Sequence, residues 1–360
     1  MLAGRVNARI ASQRTHNQRI ASAGPRDAAA LVAWFGAVQA QDYPAARWAL
    51  GLRMPDGATA ADIDRAVDSA RLVRTHVLRP TWHFVAAPDV HWMLELTAAR
   101  VQQKLAYAYR YYELDAAMRV KAARAVERAV AAGVHLTRDE LGAHLADAGV
   151  AVQGVRLALL TIYAELERVI CSGRHRGAEA TYALMADRAP KPEALPRDEA
   201  IAELTKRYFR SHGPATIRDF VWWSGLTAAD AKRGVDIVRA RSTSIDGYTY
   251  WSYGAPRGGS ARRVTVGLLP RFDEYLVAYR DLDAVPRGRG ALEEAIVVAG
   301  QVAGTWRARA RGAQRVVEVK PQRRFTDREW RGISATAARY GRFLELRVEV
   351  RAAPRAASAR

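Results

Sequence analysis

The chain has 360 residues and a formal charge of +19, with 50 of its 56 basic residues arginine. That length buries a substantial apolar core spread over two or three modules, and the charge points to a polyanionic partner, with a solvated basic surface as the competing explanation. A single cysteine, Cys171, excludes an intrachain disulfide or a multi-thiolate metal cluster; with no signal-peptide core and no apolar run approaching the roughly 20 residues of a membrane span, a soluble protein of a reducing cytosol is expected.

In chain order, the apolar periodicity predicts helices over Asp27–Val38, Tyr43–Leu52 and Ala60–Arg71, followed by a strand at Thr81–Val85. A helix is predicted over Arg119–Ala132. Thr137-Arg-Asp-Glu140 then reads as a capping box opening a short helix, with Leu141 and Leu145 on one face and Gly149 at its end. A third helix, Gln153–Glu167, leads into a strand at Val169–Ser172, a basic tip at Gly173–Gly177 and a returning strand at Thr181–Leu184. Three helices followed by a basic hairpin is the plan of a winged helix.

The plan returns after the Pro-rich run ADRAPKPEALPRDEA. Helix Glu199–Ser211 precedes a second cap spacing at Thr216 and Asp219 and a helix from Thr227 to Val238. Strands over Ser242–Ser252 then turn at Asp246-Gly247. A weaker copy lies in the N-terminal part. Beyond Val264 the runs VTVGLLP, AIVVAG, VAGTWRA and QRVVEVK, a helix over Asp327–Tyr340, and FLELRVEV describe an α/β cap. The expected fold class is therefore mainly α with small β-sheets. It comprises winged-helix modules at 1–118, 119–190 and 191–263, a cap at 264–350 and a loose tail at 351–360.

The ordered runs GAVQAQDY, LRPTWHFV, YAELERVICSG with TYALM, GPATIRDFVWWSGLTAADA, LLPRFDEYLVAYRD and VAGTWR resemble the AlkZ-like family of tandem winged-helix proteins across nearly the whole chain. Members include bacterial DNA glycosylases that excise alkylated purines and unhook interstrand crosslinks, and others known as winged-helix DNA-binding proteins. The family divides by a short glutamine motif whose second amide is Asp in one branch; Gln39 and Gln41 match the Gln-x-Gln branch. The resemblance implies three winged helices around a concave basic surface, with these two glutamines facing bound DNA as catalytic residues.

Spacing gives that pair a physical reading of its own. Residues i and i+2 point about 200° apart on a helix but to one side of an extended segment. The amides therefore converge only if the helix ends before Gln39, and Pro44 favours such a break. Otherwise they are loop glutamines making local hydrogen bonds. A purine alkylated at N7 or N3 already carries positive charge and leaves without protonation, so the protein has to hold a water and the deoxyribose in register, which amides can do. Asp42 is either a nearby negative charge or the N-cap of the following helix. His83 is either a site residue or structural. Arg79, Thr81, Arg156 and the wing residues Arg174, His175 and Arg176 are candidate DNA contacts. Trp222 and Trp223 suit core and interface, and Asp273 and Glu274 suit pairing with nearby arginines.

The eight histidines show no zinc-ligand spacing, and neither a metal nor a cofactor is expected. The reading is a monofunctional DNA glycosylase for alkylated purines, monomeric, nucleoid-associated and bound to double-stranded DNA with little sequence preference. The alternative is a non-catalytic winged-helix DNA binder or regulator.

Overall fold

Asp27 accepts a hydrogen bond from the Ala29 N–H and caps a helix that ends at Phe35, where Gly36 takes φ +92°. A side chain there would be strained, so the chain leaves the helix and enters a strand three residues before the expected end. The computed structural model describes residues 7–189, 192, 194–254, 265–280, 293–312 and 314–353. The N-terminal part comprises α1 (Ala8–Asn17), α2 (Ala28–Phe35), β1 (Ala37–Gln39), α3 (Tyr43–Gly51), α4 (Ala60–Asp68), β2 (Leu72–His76), β3 (Trp82–Ala86) and α5 (Val90–Tyr111). No sequence expectation covered α1, β2 or α5. The helix expected to reach Arg71 stops at Asp68, Ala70 turns through φ +60°, and β2 begins at Leu72.

Next come α6 (Ala116–Ala129), β4 (Leu136–Thr137), α7 (Arg138–Asp147), α8 (Val155–Leu166), β5 (Ile170–Ser172), β6 (Thr181–Leu184) and α9 (Met185–Arg188). The Thr137/Glu140 capping box forms as read, and β4 adds a third strand to the expected hairpin, in the order β4-β6-β5. Then follow α10 (Arg197–Ser211), α11 (Ile217–Ser224), α12 (Ala228–Val238), β7 (Arg241–Ile245) and β8 (Tyr248–Ser252). Asp246 and Gly247 both adopt positive φ in the turn between β7 and β8, as a type I′ hairpin requires.

The C-terminal part holds β9 (Val266–Leu269), α13 (Glu274–Val277), β10 (Ala295–Val298), β11 (Gln301–Arg311), β12 (Gln314–Pro321), α14 (Asp327–Leu344) and β13 (Arg347–Ala352). Its five strands run β13-β12-β11-β10-β9, with only the β12–β13 pair parallel. Arg351 and Ala352, expected in a loose tail, pair with Glu318 and Val319; residues 354–360 lie outside the described residues, as do 255–264 and part of the Pro-rich run.

Three cores hold these elements, and they do not follow the chain in order. Side chains of α2, α3 and α4 pack with β9 to β12 and α14. The start of α5 and one face of β2 and β3 pack with α10, α11 and α12. The end of α5 joins α6, α7 and α8. The antiparallel sheet β1-β3-β2 lies between the first two cores. Strand alternation sends Val38, Ala40 and Phe84 into one core and Ala37, Val73 and Val85 into the other.

Candidate active site

The row Gln39–His83–Thr75 crosses this sheet on the face of the second core. Because β1 is an edge strand, the Gln39 N–H points away from β3, and it donates 2.6 Å to Glu274 Oε1 at the start of α13. The Gln39 carboxamide oxygen accepts from Arg79 Nη2 at 3.1 Å. Beyond the strand, the Ala40 N–H donates to Trp82 O and the Trp82 N–H donates 3.2 Å to Gln41 Oε1. β1 ends at Gln39 and the chain bends at Gln41, with Ala40 buried, Gln39 7% exposed and Gln41 at the surface. Both amide oxygens are held as acceptors. Among the described residues neither amide nitrogen makes a hydrogen bond, so each glutamine retains an NH2 donor for another oxygen.

His83 is fully buried. Its Nδ1–H donates 2.8 Å to Thr81 O, which leaves the Nε2 lone pair facing Arg79 Nη2 at 3.5 Å. Burial, and then the Arg79 charge, depress its pKa to about 3, so the ring is neutral. Glu274 is the opposite case. Burial opposes its charge, but hydrogen bonding to His212, the Arg79 charge and the Gln39 N–H outweigh it and hold the carboxylate at about 2. Trp223 Nε1–H also donates to it at 2.9 Å. An amide, a neutral imidazole, a guanidinium and a carboxylate therefore meet where three distant segments of chain converge.

The family model for AlkZ-like DNA glycosylases matches residues 32–343. The chain belongs to that family. The solved structure of the Streptomyces sahachiroi DNA glycosylase AlkZ shares the fold at a TM-score of 0.78 and 21% identity, over 96% of this chain and 99% of that one. No curated protein sequence matches. The AlkZ-like assignment places the chain among hydrolases that act on DNA in repair. Among the described residues no group of three His, Cys, Asp or Glu side chains could hold a metal, and no helix is long and apolar enough to cross a membrane.

The other expected site residues lie as follows. Asp42 caps α3, accepting 3.0 Å from the Ala45 N–H, with Arg271 at 3.8 Å. Arg79 reaches Gln39 and the Val277 carbonyl, and the Thr81 hydroxyl has no hydrogen bond. Arg156 donates to the carbonyls of Ala151 and Tyr112, tying the entry of α8 to the end of α5. On the wing, His175 holds Asp68 through both its backbone N–H and Nδ1 at 2.9 Å and tilts its ring against Tyr43. Arg176 pairs with Glu140 at 2.5 Å. Arg174 is exposed, with no ion pair among the described residues. Trp223 is fully buried as expected, whereas Trp222 is 51% exposed. Asp273 pairs with Arg53, but Glu274 is bound by His212 and Trp223 rather than by an arginine. Its run LLPRFDEYLVAYRD contributed to the family resemblance, yet no local spacing reveals contact with a residue 235 positions earlier.

Proposed function

We propose that this chain is a monofunctional DNA glycosylase that hydrolyses the N-glycosidic bond of purines alkylated at N7 or N3, including those in interstrand crosslinks. The observation that carries the reading is the pair of carboxamides at the end of β1, whose oxygens are pinned while their NH2 groups remain as donors. As the bond between C1′ and N9 breaks, its electron pair neutralises the cationic purine. Water oxygen then bonds to C1′ and its proton passes to solvent. Gln39 and Gln41 hold that water and a DNA oxygen in register. His83, with its pKa near 3, is too weak a base to take the proton at neutral pH. Its Nε2 lone pair instead faces the Arg79 guanidinium that holds the Gln39 oxygen. Asp42, bound as an N-cap, is the next candidate after the glutamines.

Element order supports three winged-helix modules under a C-terminal cap, with the first boundary moved from 118 to the start of α6 at Ala116 and the cap extended from 350 to the end of β13 at Ala352, lining a concave basic face. On that face a monomer binds double-stranded DNA in the nucleoid with little sequence preference.

Gln39→Ala or Gln41→Ala is expected to slow release of N7-methylguanine at least about tenfold, or about 1.4 kcal/mol of transition-state stabilisation, while DNA affinity stays near wild type because phosphate contacts supply it. Glu at either position loses the donor and is expected to be slow as well. Wild-type protein that binds duplex DNA but releases no N7- or N3-alkylpurine would defeat the reading in favour of a non-catalytic DNA binder.

A further inference from the structure

Helix α5 begins inside the second core, where Met93, Leu96 and Thr97 are buried, and leaves it after Val101. The face that emerges carries Arg100, Lys104, Tyr107 and Tyr111, which helical spacing places in one stripe. All four are exposed, and the two tyrosines are the most exposed large hydrophobic side chains among the described residues, at 70% and 67%. Their rings stack on each other, with centroids 6.1 Å apart and planes 24° from parallel.

The stripe starts beside the candidate active site. Arg79, which holds Gln39, and the half-exposed Trp222 donate to the same carbonyl, that of Val277. A Cβ at Gly225, three residues beyond Trp222, would lie 3.6 Å from Lys104 Nζ. The Lys104 ammonium, exposed at its surface but partly desolvated by its neighbours, has its pKa lowered by that desolvation and by the like charges of Arg100 and Arg79. Among the described residues none of these three cations has an ion-pair partner; Arg100 bonds only the Gln103 amide. Elsewhere on this protein exposed cations are repeatedly paired, as in Arg168–Glu95 and Arg233–Asp198. The Arg79 charge is answered by the buried Glu274 carboxylate, but among the described residues Arg100 and Lys104 have none beside them, and crowding those two charges is unfavourable in the isolated protein and is relieved by an anion.

We infer that this stripe binds an unpaired nucleic-acid strand next to the proposed excision site, phosphates lying over Lys104 and Arg100 and bases stacking on Tyr107 and Tyr111. A duplex keeps its base faces hidden, so exposed stacked aromatics flanked by unpaired cations suit a single strand. The inference rests on the chain's acting on DNA but not on its excising a base.

The test uses the full chain and fluorescence anisotropy on a labelled single strand of about 12 nucleotides, within the footprints usual for such grooves, and on a duplex of the same sequence. Tyr107→Ala with Tyr111→Ala is expected to weaken single-strand binding at least about tenfold and leave duplex affinity within about twofold. The Tyr→Phe pair keeps the rings and is expected to bind like wild type. Lys104→Gln is expected to flatten the single-strand salt slope by about 0.7. Equal losses on both DNAs, loss in the Phe pair, or no loss in the Ala pair would overturn the inference, the last leaving the stripe as a protein-docking surface. Tyrosine-dependent single-strand binding in a protein that excises nothing would defeat the glycosylase reading alone; excision with tyrosine-independent binding would defeat the stripe alone.

Discussion

His83 illustrates how burial decides chemistry at a single residue. In an unfolded chain its imidazole protonates near pH 6.5, whereas the folded protein holds it neutral down to about 3. Between those values the unfolded state binds the extra proton, so stability rises with pH through the window and falls on acidification. His212, also depressed by burial, acts in the same direction. His83→Gln is therefore expected to shrink, but not abolish, the loss in urea midpoint between about pH 7 and pH 5. An unchanged loss would mean that His83 titrates normally. Glu274, whose carboxylate is held at about 2, adds to the acid sensitivity at lower pH: its stabilising contribution is present above the unfolded carboxylate range and lost as pH falls towards 2.

At the scale of elements, β1 is three residues long and cannot hold its own position. Gly36 lets the chain turn into it, β3 pairs one edge and Glu274 takes the outward N–H of Gln39. The helix beyond it, α3, ends at Gly51, whose missing side chain admits the ring of Phe343 from α14; an added Cβ would overlap that ring. Phe343 is 2% exposed and packs against Trp48, so it has little room to move. Gly51→Ala is expected to cost about 1–3 kcal/mol by overpacking, read by urea denaturation. A cost below about 0.5 kcal/mol, the range of a neutral surface change, would mean that α14 shifts freely. The cap signals were legible: the boxes at Thr137/Glu140 and Thr216/Asp219 both form, because they depend on atoms three residues apart. Helix α5 was not, because Val90, His91, Trp92, Met93, Leu94, Leu96 and Thr97 bury nearly all of its first two turns and erase the polar face that would show its period there.

Across the whole molecule, the N- and C-terminal parts are locked by one buried ion pair. Both terminal nitrogens of the Arg53 guanidinium donate 2.7 Å to the Asp273 carboxylate, while Nε donates to the Gln18 carbonyl and Nη1 also to that of Ala49. Arg53→Ala is expected to destabilise by about 3–5 kcal/mol, because it leaves Asp273 buried and uncompensated. Part of that loss is expected to return when Asp273 is replaced by Leu in the same chain. Thermal unfolding of the two variants measures both, and a loss under about 1 kcal/mol for the single variant would place the junction elsewhere, since an exposed pair contributes no more. Asp273 directly precedes Glu274, so the lock also sets the carboxylate that holds Gln39.

By itself the sequence determined the helices with local caps, the Asp246-Gly247 hairpin and the extended break after α2 that brings Gln39 and Gln41 out of a helix, since each depends on free energies exchanged within a few residues. The ordered runs also carried the family. Only the tertiary structure decided which groups surround the glutamines. The contacts of Gln39 with Glu274 and of Arg53 with Asp273 span 235 and 220 residues. Such pairs form because folding buries polar groups that must then find partners, and local pattern carries no trace of which partner is brought within reach.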